Sequence, residues 1–144
     1  MSALKLANKI RKFLDLGDIY EAERLSNNAL PKYKEEPDLL FQIGYMHYAR
    51  KRYSEAVELF RKVLKVRPKD ADARLMLWGA YRDVGDFDQM LTLAHEFVRH
   101  PLSANELFLA YRSFLAVCDW EQAEKIQNKV MESLQQGKVS QNLA

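Results

Sequence analysis

Residues 37–68 read PDLLFQIGYMHYARKRYSEAVELFRKVLKVRP, and this stretch decides the fold. It opens and closes on proline, which cannot continue a helix interior, so Pro37 and Pro68 mark boundaries. Leu40, Ile43, Gly44 and His47 recur at i, i+3, i+4 and i+7, the spacing of one helix face. Beyond the Lys51-Arg52 pair, Ala56, Phe60 and Val63 supply the face of a second helix. The stretch therefore predicts two helices joined by a tight turn. A small residue at a crossing lets two helix backbones approach to about 8 Å, and Gly44 fits that place. Phe60 is bulky enough to fill the space toward a neighbouring unit.

The pattern repeats. Pro37, Pro68 and Pro101 lie 31 and 33 residues apart. Punctuation at this interval is the cue for an internal repeat. Four segments align: Gly17-Asp18-Ile19-Tyr20-Glu21-Ala22, Lys51-Arg52-Tyr53-Ser54-Glu55-Ala56, Gly85-Asp86-Phe87-Asp88-Gln89-Met90 and Cys118-Asp119-Trp120-Glu121-Gln122-Ala123. Their apolar third members, Ile19, Tyr53, Phe87 and Trp120, are spaced by 34, 34 and 33 residues. In the third unit Leu77 and Tyr81, with Ala94 and Phe97, supply the two packing faces.

The segment from Pro37 to Pro68 resembles a tetratricopeptide (TPR) repeat. Gly44, Tyr53, Ala56, Phe60 and Pro68 stand where that 34-residue motif places small, aromatic, alanine, aromatic and proline residues. The unit from Ala71 to Pro101 matches it, with Trp78 in place of glycine and Met90 in place of alanine. The outer units carry the turns together with Ala22 and Ala123. The resemblance implies an all-α fold, an alpha-alpha superhelix (a TPR solenoid) of about four helix-turn-helix repeats at approximately 3–36, 37–70, 71–103 and 104–136. Stacked neighbours bury a continuous core, and the first helix of each pair lines a concave wall. Helices are expected at 3–15, 19–31, 37–50, 53–66, 71–84, 87–99, 104–117 and 120–136, within one domain over 1–136. Residues 137–144 are expected to form a flexible tail. Asp38, Asp70 and Asp72 fall near helix starts, and Ser103 with Glu106 fits a capping box.

Composition narrows the function. At 144 residues the chain has the length of one ordinary domain. Lys plus Arg is 22 and Asp plus Glu is 20, a balance that argues against nucleic acid and against an anionic membrane. A single cysteine, Cys118, excludes a disulfide framework and any multi-cysteine metal site. Charges break every apolar run, so neither a signal-peptide core nor a membrane span is expected, and a cytoplasmic location is the default. His95 and His100 are five residues apart, not the i, i+4 spacing of a metal pair on one face, and His47 lies on a packing face. Cys118 precedes Asp119 with no base at hand, so a partly buried turn cysteine is expected, not a reactive one. No glycine loop for a phosphate is present. The basic run Arg50-Lys51-Arg52 and the cluster Arg61, Lys62, Lys65, Arg67 and Lys69 read as solvated faces. No catalytic residue, metal ligand or cofactor is expected.

The informative positions lie on the first helices, off the packing faces. They are Arg11 in the first unit, Phe41, Gln42, Tyr45 and Tyr48 in the second, Met76 and Arg82 in the third, and Phe108 and Arg112 in the fourth. Leu75, Asp83, Leu109 and Leu115 are expected to point toward the same concave wall or its margin. Tyr and Arg are enriched at binding hot spots, and an apolar groove carrying them suits an extended peptide or a partner helix. Some TPR modules clamp a carboxylate with Lys, Asn and Arg. Here Phe41, Gln42, Leu75 and Met76 stand on the lining instead, which disfavours that subtype.

The expected function is a non-catalytic scaffold for another protein or peptide. Leu115-Ala116-Val117-Cys118-Asp119-Trp120 is also similar to the junction between TPR array and catalytic region in O-linked N-acetylglucosamine transferase and SPINDLY-type proteins. That similarity implies an alternative, the N-terminal substrate-recruiting module of a larger enzyme. A secretion or assembly chaperone is a further alternative. Ile126, Val130, Met131 and Leu134 on one side of the last helix fit a cap, and both monomer and homodimer stay open.

Overall fold

A computed structural model describes residues 1–139. Among the described residues there are eight helices and no strand: α1 (Ala3–Asp15), α2 (Ile19–Ala29), α3 (Pro37–Ala49), α4 (Tyr53–Val66), α5 (Ala71–Val84), α6 (Phe87–Arg99), α7 (Ala104–Ala116) and α8 (Trp120–Gln135). The ends fall within one residue of the expected ones except in α2. That helix stops at Ala29, because Pro31 has no N–H for a further helical bond. The chain divides into two compact units, Met1–Val84 and Gly85–Ala144. In the first, α1 packs on α2, α3 packs on α1 and α4, and α4 packs on α5. In the second, α7 packs on both α6 and α8.

The turns share one backbone device. Gly17, Lys51, Gly85 and Cys118 have φ of +79°, +60°, +82° and +58° and stand at equivalent places in the repeat. A left-handed residue after a helix folds the chain back over its last turn. Gly17 N–H donates to Leu14 C=O at 3.1 Å and Asp18 N–H to Phe13 C=O at 2.9 Å. The same pair of bonds recurs from Lys51 and Arg52 to Tyr48 and His47, and from Cys118 and Asp119 to Leu115 and Phe114. The next residue caps the following helix. Asp18, Asp86 and Asp119 each accept the N–H three residues on, at 3.2–3.3 Å. Arg52 holds this place in the second turn without a side-chain cap. Its guanidinium bonds Glu23 on α2 instead, and Arg50 approaches the same carboxylate at 3.6 Å.

The core of the first unit gathers Ile10, Leu39, Leu40, Ile43, Met46, Phe60 and Val63, all buried. Burying each such side chain contributes roughly 1.5–3 kcal/mol. Gly44 is required by contact. A Cβ there would lie 2.9 Å from Phe60 Cε1, inside any tolerable separation. In the second unit Met90, Ala94, Phe97, Leu109, Phe114, Ile126 and Val130 are buried.

Several local expectations are corrected. Ser103 is the N-cap of α7 but makes no side-chain cap bond. Glu106 Oε1 accepts the N–H of Leu102 at 3.0 Å, one residue before the cap, so no capping box forms. Ser103 is fully extended there, and the carboxylate meets the preceding N–H. Met131 is 46% exposed and does not share the buried side of α8 with Ile126 and Val130. Leu109 is core. Phe87 and Trp120, aligned as apolar anchors, are 49% and 62% exposed. Of the expected tail, residues 140–144 lie outside the described residues. Gly137 (φ +68°) closes α8 with the same left-handed turn, and Val139 is buried.

Two stability predictions follow from this geometry. Gly44→Leu overpacks the α3–α4 crossing and costs roughly 1–3 kcal/mol or more in urea unfolding. A mutant with the wild-type midpoint would mean the close approach is not tight. Lys51→Gly and Cys118→Gly each relieve a left-handed L-residue and gain about 0.5–1 kcal/mol. A lowered midpoint in both would remove the strain argument.

Candidate functional site

The first unit carries seven of the nine candidate residues, on α1, α3 and α5. Arg11 is held by Asp15 one helical turn on, with Nε to Oδ1 at 2.9 Å. Its guanidinium lies 4.8 Å from the centre of the Tyr45 ring on α3. Such stacking contributes about 0.5–1 kcal/mol at exposed sites. Tyr45 and Arg11 are both partly exposed. Phe41, one turn earlier on α3, leans on the buried Phe60 ring at 5.6 Å, so much of its surface serves packing. Gln42 beside it keeps Oε1 buried with no hydrogen-bond partner.

Tyr48 is drawn into a polar cluster with α5. Its hydroxyl donates to an Asp83 carboxylate oxygen, and its ring meets Tyr53 edge-on at 5.3 Å. Burial, then the bond to Asp83, pushes the phenol up to about 12. Burial alone would raise Asp83, but the bonds from Tyr48 and Arg82 outweigh it and hold the carboxyl below its ordinary range. Arg82 Nε bonds Asp83 at 3.1 Å, and the guanidinium lies 5.0 Å from the centre of the buried Trp78 ring. Met76 is partly buried one turn and a half before Arg82. The sequence places Asp83 toward the concave wall or its margin but gives it no partner. No local signal announces a partner 35 residues away. In the second unit Phe108 and Arg112 are neighbours on α7, guanidinium to ring centre 6.0 Å.

The remaining titratable groups offer little chemistry. His47 is half-buried near Arg52, Glu55 and Glu23, and its Nδ1 is buried without a hydrogen-bond partner. Burial, helped by the Arg52 charge, lowers its pKa, while Glu55 and Glu23 oppose the shift. The ring of His95 lies 5.1 Å from Phe114. Cys118, expected to be partly buried, is exposed, because the left-handed turn lifts it off the helix pair. Among the described residues no three His, Cys, Asp or Glu side chains are grouped to hold a metal ion. No described helix is long and apolar enough to cross a membrane.

Comparison with known proteins adds three findings. A family model described as Tetratricopeptide repeat matches residues 37–70. The chain is 29% identical over 113 residues to the human DnaJ homolog subfamily C member 7, covering 73% of this chain, and 28% identical to the mouse protein. It spans only 23% of the length of these relatives. Among solved structures, MamA 41-end from Desulfovibrio magneticus RS-1 superposes with a TM-score of 0.74 at 22% identity, over 92% of this chain and 76% of that one. MamA MSR-1 C2 gives 0.79 at 16% identity, over 95% and 79%. These likenesses show the fold, an all-α helical repeat. The run at 115–120, likened above to a glycosyltransferase junction, falls at the turn between α7 and α8. Its Cys118-Asp119-Trp120 does the work of Gly17-Asp18-Ile19: left-handed residue, cap, first helical residue.

His47 generates a pH prediction. Its folded-state pKa lies below the ordinary 6.5, so below that pH the unfolded chain binds more protons. The contribution to stability is whole above about pH 6.5 and is lost as pH falls toward the depressed value. The urea midpoint should drop between about pH 7.5 and pH 5.5, and the drop should shrink in His47→Gln. Equal drops in both proteins would clear His47 of the effect.

Proposed function

We propose that the chain, with a tetratricopeptide repeat matched at 37–70 and a helical-repeat fold throughout, is a non-catalytic scaffold that binds another protein or peptide on the first-helix side of its repeats. The supporting observation is the pairing of exposed arginine with aromatic rings there. Arg11 lies over Tyr45 and Arg82 over Trp78 in the first unit, and Arg112 lies beside Phe108 in the second. Arginine and aromatic side chains are the groups most often found at binding hot spots. They present flat, rigid surfaces to an extended segment.

The candidate residues then divide by role. Tyr45, Arg11, Arg82 and Met76 offer surface to a partner, as do Phe108 and Arg112 on the second unit. Phe41 and Tyr48 stiffen the platform through Phe60 and Asp83. Gln42 contributes a buried acceptor. Binding proceeds by burial of these groups, with no bond made or broken.

The test is affinity capture from the source lysate with the 144-residue chain as bait, compared with the Tyr45→Ala/Arg82→Ala double variant. The variant should keep the helical circular dichroism of the parent and bind the captured partner at least about tenfold more weakly. Undiminished binding would remove this surface from the function.

A further inference from the structure

One end of the second unit carries large apolar side chains that the core does not use. Short turns make α6, α7 and α8 antiparallel in sequence, so the start of α6, the end of α7 and the start of α8 lie at this end. Phe87 opens α6, Val117 follows α7 and Trp120 opens α8. They are 49%, 37% and 62% exposed. Tryptophan is highly buried on average, and a lone exposed apolar residue would need no explanation. Two exposed aromatic residues and a valine at one end do need one.

The repeat supplies an internal control. Tyr53 stands at the same place in the second repeat, and its ring is taken up by Tyr48, edge-on at 5.3 Å. Leu115 stands five residues before Trp120, as Tyr48 does before Tyr53, and offers no ring. Among the described residues neither Phe87 nor Trp120 meets another aromatic ring. The charge around these side chains is one-sided. Asp86 and Asp119 cap α6 and α8, and Asp88 and Glu121 stand in the first turns. The first cation on α8, Lys125, is held by Glu121 at 3.4 Å, and on α6 the only lysine or arginine is Arg99 at the far end. Two copies meeting through this end would bring carboxylate against carboxylate. The basic turn at 50–52 in the first unit is a poor complement in a second copy, because Arg50 and Arg52 are both engaged with Glu23.

We infer that this end of the second unit binds a basic amphipathic helix of a partner polypeptide. The apolar stripe of that helix covers Phe87, Val117 and Trp120. Its lysine or arginine residues flank the stripe and face Asp88 and Glu121. Trp120, the largest and most exposed of the three, is the anchor. The surface belongs to the turns and the second helices of the repeats. It is separate from the first-helix side proposed above and does not depend on it.

The chain has two tryptophans, Trp78 buried and Trp120 exposed, so their indole N–H signals report on two places at once. The experiment is a nuclear magnetic resonance titration of the isotope-labelled 144-residue chain with a blocked amphipathic leucine–lysine peptide of about 14 residues. A leucine–glutamate peptide of the same pattern is the control. The lysine peptide should move the Trp120 signal in a saturable way, with a dissociation constant of about 10–100 μM, and leave Trp78 in place. The glutamate peptide should bind at least about tenfold more weakly. Trp120→Ala, read on the Asp88 and Val117 amides, should keep the helical circular dichroism of the parent and lose at least about tenfold in affinity. Asp88→Asn/Glu121→Gln leaves both caps in place and should lose at least about threefold, with a flatter salt dependence. Tyr45→Ala/Arg82→Ala should bind the lysine peptide as the parent does, so that failure of either surface is read separately. The inference is overturned if the Trp120 signal stays in place up to about 1 mM peptide, if the glutamate peptide binds equally, or if Trp120→Ala binds as tightly as the parent. It is also overturned if the signals at this end shift with the concentration of the chain alone, since a second copy would then be the occupant.

Discussion

The first unit depends on the contact between Gly44 and Phe60. A helix pair can bring its backbones this close only where one side chain is missing, and Phe60 occupies the gap that results. Once α3 and α4 are locked at this spacing, Leu40 and Ile43 face inward and Phe41 is forced to lean on Phe60. Tyr45, one turn further along, is then carried to the side where Arg11 reaches it. The surface proposed to meet a partner is thus a by-product of how the core closes. Core and surface share a helix, and the crossing fixes which side chains belong to each.

Repeat register explains which residues become neighbours. Arg11 and Tyr45 are 34 residues apart, as are Asn8 and Gln42, and Asp38 and Asp72. Equivalent positions of adjacent repeats lie side by side because each unit repeats the same backbone path. The cation over the Tyr45 ring arises this way. A surface of this kind is assembled from single positions of the repeat. One substitution at such a position changes its charge while the helices stay as they are.

Much of the fold was legible in the sequence. Turn residues and helix boundaries follow from backbone constraints that act locally: proline, a left-handed residue, a capping aspartate. Depth of burial was less legible. Periodicity tells which way a side chain points and not what covers it, so Trp120 and Phe87 align with the half-buried Tyr53 and are still largely exposed. Met131 was assigned to the wrong side of α8 for the related reason that one residue shifts the face by 100°. Glu106 missed its expected cap because an extended Ser103 moved the available N–H. Of the candidate site, the Arg11–Tyr45 stack could be read from register, whereas the Tyr48–Asp83 bond could not. It joins positions that are one residue out of register, and only the side-chain lengths close the distance.

The second turn breaks the rule of the other three. Where they place an aspartate that caps its own helix, this one places Arg52, whose charge reaches back to Glu23 on α2. A self-contained local bond is exchanged for one that exists only when the preceding helix pair is in place. The α3–α4 hairpin therefore starts its second helix uncapped and draws its compensation from a neighbour. In a linear array whose stability is the sum of unit and interface contributions, this moves weight from the unit to the interface. Melting of the first helix pair releases Arg52 and loosens the turn behind it. The ion pair thus adds a coupling of up to about 1 kcal/mol between the two repeats, on top of their apolar packing.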